Sequence, residues 1–286
     1  MYGDLSFRKS QRFGNKIPVS DYVAAKGASN IMITVCDLEK FCAELAPWNL
    51  QLPYDNAGFL LGDPSAPVKK VLLALDITNP VVQEAISCDV QCIISHHPLI
   101  FHPLSHLTET PDNSKILRLI ENRIAAICLH TNLDIAEGGV NDVLLSLFKA
   151  EKLEDLDADH CGRISTLPKA MPLQEFLIEC KNVLHTNGLR YYDAGKKVSR
   201  IAVMGGAGGS AVKAAVEKGC DTYLTSDLKY HDFILASEWG INLIDGDHFC
   251  TENPVMDMLK DRLSAEFPEV IFQLSSEHKQ IISFMT

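Results

Sequence analysis

The sequence predicts an α/β protein of two related lobes, with mixed, largely parallel sheets and a site in the cleft between them. Three observations carry this. Short apolar runs alternate with helical stretches through most of the chain, as when strands are joined by crossover helices. One unit of the pattern recurs. Val71-Leu72-Leu73-Ala74-Leu75-Asp76, a helix, Cys88-Asp89 and a strand ending at Ser95-His96 are echoed by Ile201-Ala202-Val203-Met204, a helix, Cys220-Asp221 and a strand ending at Ser226-Asp227. The Cys-Asp pairs lie 132 residues apart and the strand-ending serines 131 apart. Finally, 286 residues at 47% hydrophobic suffice for one large or two medium domains with a sizeable core. Related lobes make the cleft between them the natural place for a ligand.

Residues 1–31 stand apart. They hold five Lys/Arg and two acids, with scattered Gly, Ser and Asn and no period of 2 or 3.6, and read as an extension, mobile or laid over the surface. Residues 37–47 read as a first helix, with Asp37 as its cap and Pro47 ending it. Val71–Ile77 then reads as a buried strand, Val81–Ser87 as helix and Cys92–Ser95 as strand. Lys115–Asn122 reads as helix, Ile124–Leu129 as strand and Val140–Lys149 as helix. Residues 151–170, with acids, Gly162, Pro168 and little periodicity, read as a linker. The first lobe is expected over 32–150, joined by part of the C-terminal segment, and the second over 171–286. Within the second, Leu173–Leu184, Ala211–Lys218, His231–Glu238 and Val255–Phe267 read as helices. Arg200–Met204, Thr222–Thr225 and Ile241–Ile244 read as strands.

Composition excludes several classes. No stretch approaches the roughly 18–20 consecutive apolar residues of a membrane helix, and no apolar h-region near the start marks a secretory signal. A net charge of −11 and a pI of about 5.3 argue against a duplex-DNA binder. Nine cysteines, an odd count with no C-x-x-C, read as free thiols packed as small hydrophobes. That points to a reducing compartment, with the cytoplasm as default.

Three segments carry chemistry, each just after an apolar strand. They are Ser95-His96-His97-Pro98, His130-Thr131-Asn132-Leu133-Asp134, and Asp247-His248-Phe249-Cys250-Thr251-Glu252. Open α/β sheets bind ligands at the carboxyl ends of their strands. Each fragment alone has an ordinary account: His130 could be a satisfied core-edge histidine, and Glu252 could simply favour a helix N-terminus. Together they supply imidazoles and carboxylates without thiolate, a set that suits Zn, Fe or Mn. His102 and His106 read as structural, and Asp55 and Asn56 as pinning a turn.

These same segments resemble the Nif-three-like family, also catalogued as GTP cyclohydrolase I type 2 homologues. The match runs through Ser95–Phe101, His130–Asp134 with Gly138-Gly139-Val140-Asn141-Asp142, and His248–Glu252. Tyr54-Asp55-Asn56-Ala57-Gly58, Gly205–Gly208 and Thr225–His231 strengthen it, and it covers residue 32 to the C-terminus. The resemblance implies a toroidal homohexamer with a dinuclear metal centre, the ligands falling on His96, His97, Asp134, His248 and Glu252. Ser226 and Asp247 stand where the family commonly has Gly.

On that reading two divalent ions, Zn, Fe or Mn, support a metal-dependent hydrolase of GTP cyclohydrolase or phosphoester type. Its substrate would be a small molecule such as a nucleotide. Glu252, and His231 as a proton-transfer or substrate-contact group, are the catalytic candidates. One rival is a non-catalytic ring that stores, senses or delivers metal, or an adaptor. Another is a dinucleotide-binding module, since Gly206-Ala207-Gly208-Gly209-Ser210-Ala211 fits G-x-G-x-x-A and Asp227 lies 21 residues beyond Gly206.

Overall fold

The computed structural model describes residues 32–285; the extension expected over 1–31 lies outside the described residues. The first sheet is built around three parallel strands, β2 (Lys70–Ala74), β3 (Cys92–Ser95) and β4 (Ala125–Cys128), linked through α2 (Asn79–Ser87) and α3 (Ser114–Glu121). Strand β1 (Gly58–Leu61) adds antiparallel to β4, and β11 (Ile271–Leu274) adds parallel to β2, giving the order β1-β4-β3-β2-β11. These strands are apolar on both faces because both faces are covered. Val71, Leu73, Cys92, Ile94 and Ile127 pack with α1 (Val35–Leu45) and α10 (Pro254–Glu266), while Leu72, Ala74, Ile93 and Ala126 pack with α2 and α3.

The second sheet repeats the device. Strands β8 (Val198–Ala207), β9 (Thr222–Ser226) and β10 (Asn242–Asp245) run parallel through α7 (Val212–Glu217) and α8 (Tyr230–Trp239). Antiparallel strands flank them: β7 (Arg190–Tyr192) on β10, and β6 (Arg163–Met171) with β5 (Glu154–Asp155) beyond β8. The sequence repeat is therefore real in space. Helix α6 (Leu173–Leu184) and α5 (Val140–Ser146) cover the face formed by Ile201, Val203, Leu224 and Ile244.

Several expectations need correction. The first helix starts at Val35, not residue 37. Thr34 is the cap, and Asp37 completes a capping box by accepting the Thr34 amide. Residues 151–170 are not a linker, because β5 and most of β6 lie there and pair into the second sheet. The half-exposed β6 hides its strand period, and its pairing with β8 shifts between Thr166 and Met171, where Pro168 can sit without a ladder hydrogen bond. The second lobe does not extend to residue 286. Val255, Met256, Leu259, Leu263 and Phe272 bury themselves in the first lobe's core.

The joint between lobes is held by a side chain the sequence reading passed over. Arg163 on β6 is fully buried. Its Nε donates to Asp142 Oδ1 at 2.5 Å, and its remaining donors reach the carbonyls of His160, Gly162, Ile135 and Ala136. The second sheet is thereby fastened to the 135–142 loop of the first lobe.

Candidate metal centre

The carboxyl ends of both parallel cores meet, and the chemistry-bearing side chains emerge there. His96 and His97 follow β3 directly. Asp134 projects from the short helix α4 (Thr131–Ile135) after β4. His248 and Glu252 lie on a second short helix, α9 (His248–Glu252), after β10. The sequence places these two in a turn feeding a helix, whereas they are themselves helical. The i, i+4 spacing sets both on one face. Asp247 caps α9 by accepting from the Cys250 amide at 3.1 Å, and it does so at a φ of 75°. A glycine would adopt that backbone more easily but could not supply the cap.

The five side chains expected as ligands converge. His96 Nε2 lies 3.7 Å from both Asp134 Oδ1 and Glu252 Oε1. Glu252 Oε2 lies 3.1 Å from His97 Nε2 and 3.0 Å from His248 Nε2, and those two ring nitrogens are 3.3 Å apart. Three groups can each hold a metal ion: His97 with His248 and Glu252, His96 with Asp134 and Glu252, and His96 with His97 and His130. The ring orientations are fixed from behind. His96 Nδ1 bonds the Leu129 carbonyl, His97 Nδ1 bonds Asp76 Oδ1, and His248 Nδ1 bonds Asp227 Oδ2, each at 2.8 Å. This is how metal-ligating imidazoles are oriented, with Nε2 turned into the cluster.

The residues fit a cation. Buried polar atoms ordinarily find a hydrogen-bond partner, yet His96 Nε2, Asp134 Oδ1 and Glu252 Oε2 have none. These atoms belong to the proposed ligands and crowd one another. Hard and borderline N/O donors without thiolate suit Zn, Fe or Mn.

Electrostatics report the same crowding. Burial would push His97 down, but its hydrogen bond to Asp76 and the carboxylate of Glu252 beside it carry it up to about 10. His248, likewise opposed by burial, rises to about 9 through Glu252 and Asp227. Burial raises Asp134 to about 6, although His96 pulls it down. Glu252 is held well below its usual range despite burial, because imidazoles face it on three sides.

The glycine-rich turn serves this site. Gly206 has a φ of +68°, and a Cβ there would stand 2.2 Å from Glu252 Oε1. A side chain at Gly208 would meet Thr225 Oγ1 at 2.2 Å. These glycines therefore make room for the protein's own side chains. Asp227, which the dinucleotide reading reserves for a ribose, is instead engaged by His248.

His231 is exposed in the first turn of α8 and belongs to none of the three groups. His102 and His106 are also outside them. Sequence reasoning missed Asp76 and Asp227, although a signal exists: each precedes its histidine by 21 residues, one crossover away. It read Asp55 as pinning a turn. Asp55 does accept from the Asn56 amide at 2.7 Å, but it also bonds His130 Nδ1 at 2.7 Å. All nine cysteines are free, and among the described residues no helix is long and apolar enough to cross a membrane.

Comparison with known proteins agrees with this geometry. The sequence profile of the DUF34/NIF3 (NGG1p interacting factor 3) family matches residues 33–281. The chain belongs to the DUF34/NIF3 family. A relative from Clostridium perfringens, named GTP cyclohydrolase 1 type 2 homolog, is 33% identical over 261 residues, spanning 87% of this chain and 98% of its own. A solved structure, reduced HcgD from Methanocaldococcus jannaschii, superposes with a TM-score of 0.78 at 30% identity, covering 86% of this chain and 99% of that one. A hypothetical protein of Staphylococcus aureus gives a TM-score of 0.81 at 28% identity over 89% of this chain and 100% of its own.

Proposed function

We propose that this cluster is a dinuclear centre for two divalent ions, Zn, Fe or Mn, and that the protein is a metal-dependent hydrolase. The observation that carries the reading is Glu252. Its carboxylate is shared by two of the three candidate groups, one oxygen toward His96 and the other toward His97 and His248. His97 and His248 with Glu252 would hold one ion, and His96 and Asp134 with Glu252 the other. Divalent ions there would supply Lewis acidity toward water and toward a phosphoryl or carbonyl oxygen.

The chain's own residues do the positioning. Asp76, Asp227 and the Leu129 carbonyl fix the ring orientation of three imidazoles through Nδ1. A cavity of about 540 Å³ opens beside His97 and His248, walled by Leu75, Pro80, Phe249 and Ile282. That volume suits a small molecule of nucleotide size. The name of the relatives, GTP cyclohydrolase 1 type 2 homolog, supports a GTP-like substrate, and since a shared centre does not dictate one reaction a phosphoester is the alternative. His231 gives no atom to either group, so on this reading its role narrows to substrate contact or proton transfer from the rim. Its free cysteines support a cytoplasmic protein, and the family resemblance supports a toroidal homohexamer.

Chelator-stripped protein reloaded with Zn, Mn or Fe(II) is expected to turn over GTP or a phosphoester from a substrate panel, with activity lost on chelation and restored by the ion. Tight stoichiometric metal without turnover across the panel would sink the hydrolase reading and favour storage or delivery.

Metal uptake should also be strongly pH-dependent. In the metal-free protein His97 and His248 titrate near 10 and 9, so both are charged at neutral pH. A ligating imidazole must be neutral, so loading releases protons and affinity rises with pH toward about 9. The metal-free fold behaves oppositely. Stability from these raised values is full below about 6.5 and is lost as pH rises through 9 and 10. Calorimetric metal titrations in buffers of different ionisation enthalpy should show net proton release; zero release at pH 7 would contradict this charge state.

A further inference from the structure

We propose that His130 is a further metal ligand, a sixth donor beyond the five side chains assigned above. The inference rests on reading the cluster as a metal centre and deepens it. A ring nitrogen of His130 lies within 4.8 Å of ring nitrogens of both His96 and His97. Those two histidines come from different halves of the centre. Glu252 joins the halves through its carboxylate, and His130 is the other side chain grouped with a member of each.

The support behind His130 matches that behind the other three imidazoles. Its Nδ1 is bonded to Asp55 Oδ1 at 2.7 Å, as His97 is bonded to Asp76 and His248 to Asp227. Asp55 is itself rigidly held. Its other oxygen accepts from the Thr131 amide at 3.0 Å and the Thr131 hydroxyl at 2.5 Å. A carboxylate behind Nδ1 is the support given to metal-ligating imidazoles, and it leaves Nε2 as the nitrogen that would ligate. Among the described residues Nε2 has no hydrogen-bond partner. A purely structural histidine would explain the Asp55 bond. It would not explain why the ring packs edge-on against both His96 and His97, with centroids 5.3 and 5.6 Å away.

The test uses full-length protein stripped of metal and titrated with Co(II), whose visible bands report its ligands. Affinity is read separately by competition with a chelator. His130→Ala and His130→Gln are expected to weaken one Co(II) equivalent by roughly 10- to 100-fold and to change its visible bands. Asp55→Asn should move both readouts the same way. Folded His130 variants, judged by circular dichroism, that bind Co(II) with wild-type affinity and bands would overturn the assignment while leaving the five-ligand centre standing. Failure of the wild-type chain to take up Co(II) at all would instead overturn the metal-centre reading and this one with it.

Discussion

Glu252→Gln is expected to empty both halves of the centre at once. Glu252 is 4% exposed and its two oxygens face different partners, His96 on one side, His97 and His248 on the other. An amide of the same shape keeps one oxygen and replaces the other with an NH2 group. That group cannot ligate and points a donor at an imidazole nitrogen needed as a ligand. The variant also loses the negative charge that offsets two cations. Replacing supporting residues around metal ligands costs about 10–100-fold in affinity, so losing a ligand common to two ions should cost at least that at each. Elemental analysis of the purified variant should fall from close to two ions per chain to close to none, with the far-UV spectrum unchanged. Retention of both ions would remove Glu252 from the centre and with it the proposed mechanism.

The largest loss of stability is expected on the opposite side of the lobe junction. Arg163→Ala should cost about 3–5 kcal/mol, because it removes a fully buried guanidinium from its ion pair with the part-buried Asp142. Asp142 would be left facing a cavity, and the Ile135 carbonyl would lose the guanidinium donor it accepts from. Arg163→Lys should rescue little. An ammonium has three donors on a flexible stem and cannot reproduce the planar fork that serves Asp142 and four carbonyls together. Thermal denaturation should show Tm lower by roughly 10 °C in either variant. Asp134 sits one residue before this anchored loop, so its hold on the centre should loosen too. A melting temperature within a degree or two of wild type would show that the junction is held by packing alone.

The parallel strands and their helices were legible because their residues carry the information locally. Cys92–Ser95 and Leu173–Leu184 fall where the apolar runs place them. Strands covered on both faces leave continuous apolar runs, and an amphipathic helix leaves its period. Strands β1, β6, β7 and β11 lie at or beside sheet edges. Most of their side chains are only partly buried or exposed, and what makes them strands is a partner distant in the chain.

The donor set was legible for a different reason. His96, His97, Asp134, His248 and Glu252 are polar residues clustered after apolar strands, where ordinary packing has little use for imidazole pairs. What no local pattern announces is which carboxylates stand behind them. Asp76, Asp227 and Asp55 look like turn residues along the chain, and they become anchors only when one strand end is laid beside the next.

The residues alone thus settled the alternation of strand and helix, the doubling of one βαβ unit and the chemical type of the donors, because each is written in short-range pattern and side-chain identity. Folding settled that strand ends more than a hundred residues apart meet, that Glu252 reaches both groups, and that Arg163 rather than a linker joins the lobes. Those are long-range facts. They depend on the burial of both sheets and on the cost of leaving a charge or a carbonyl unpaired inside the protein.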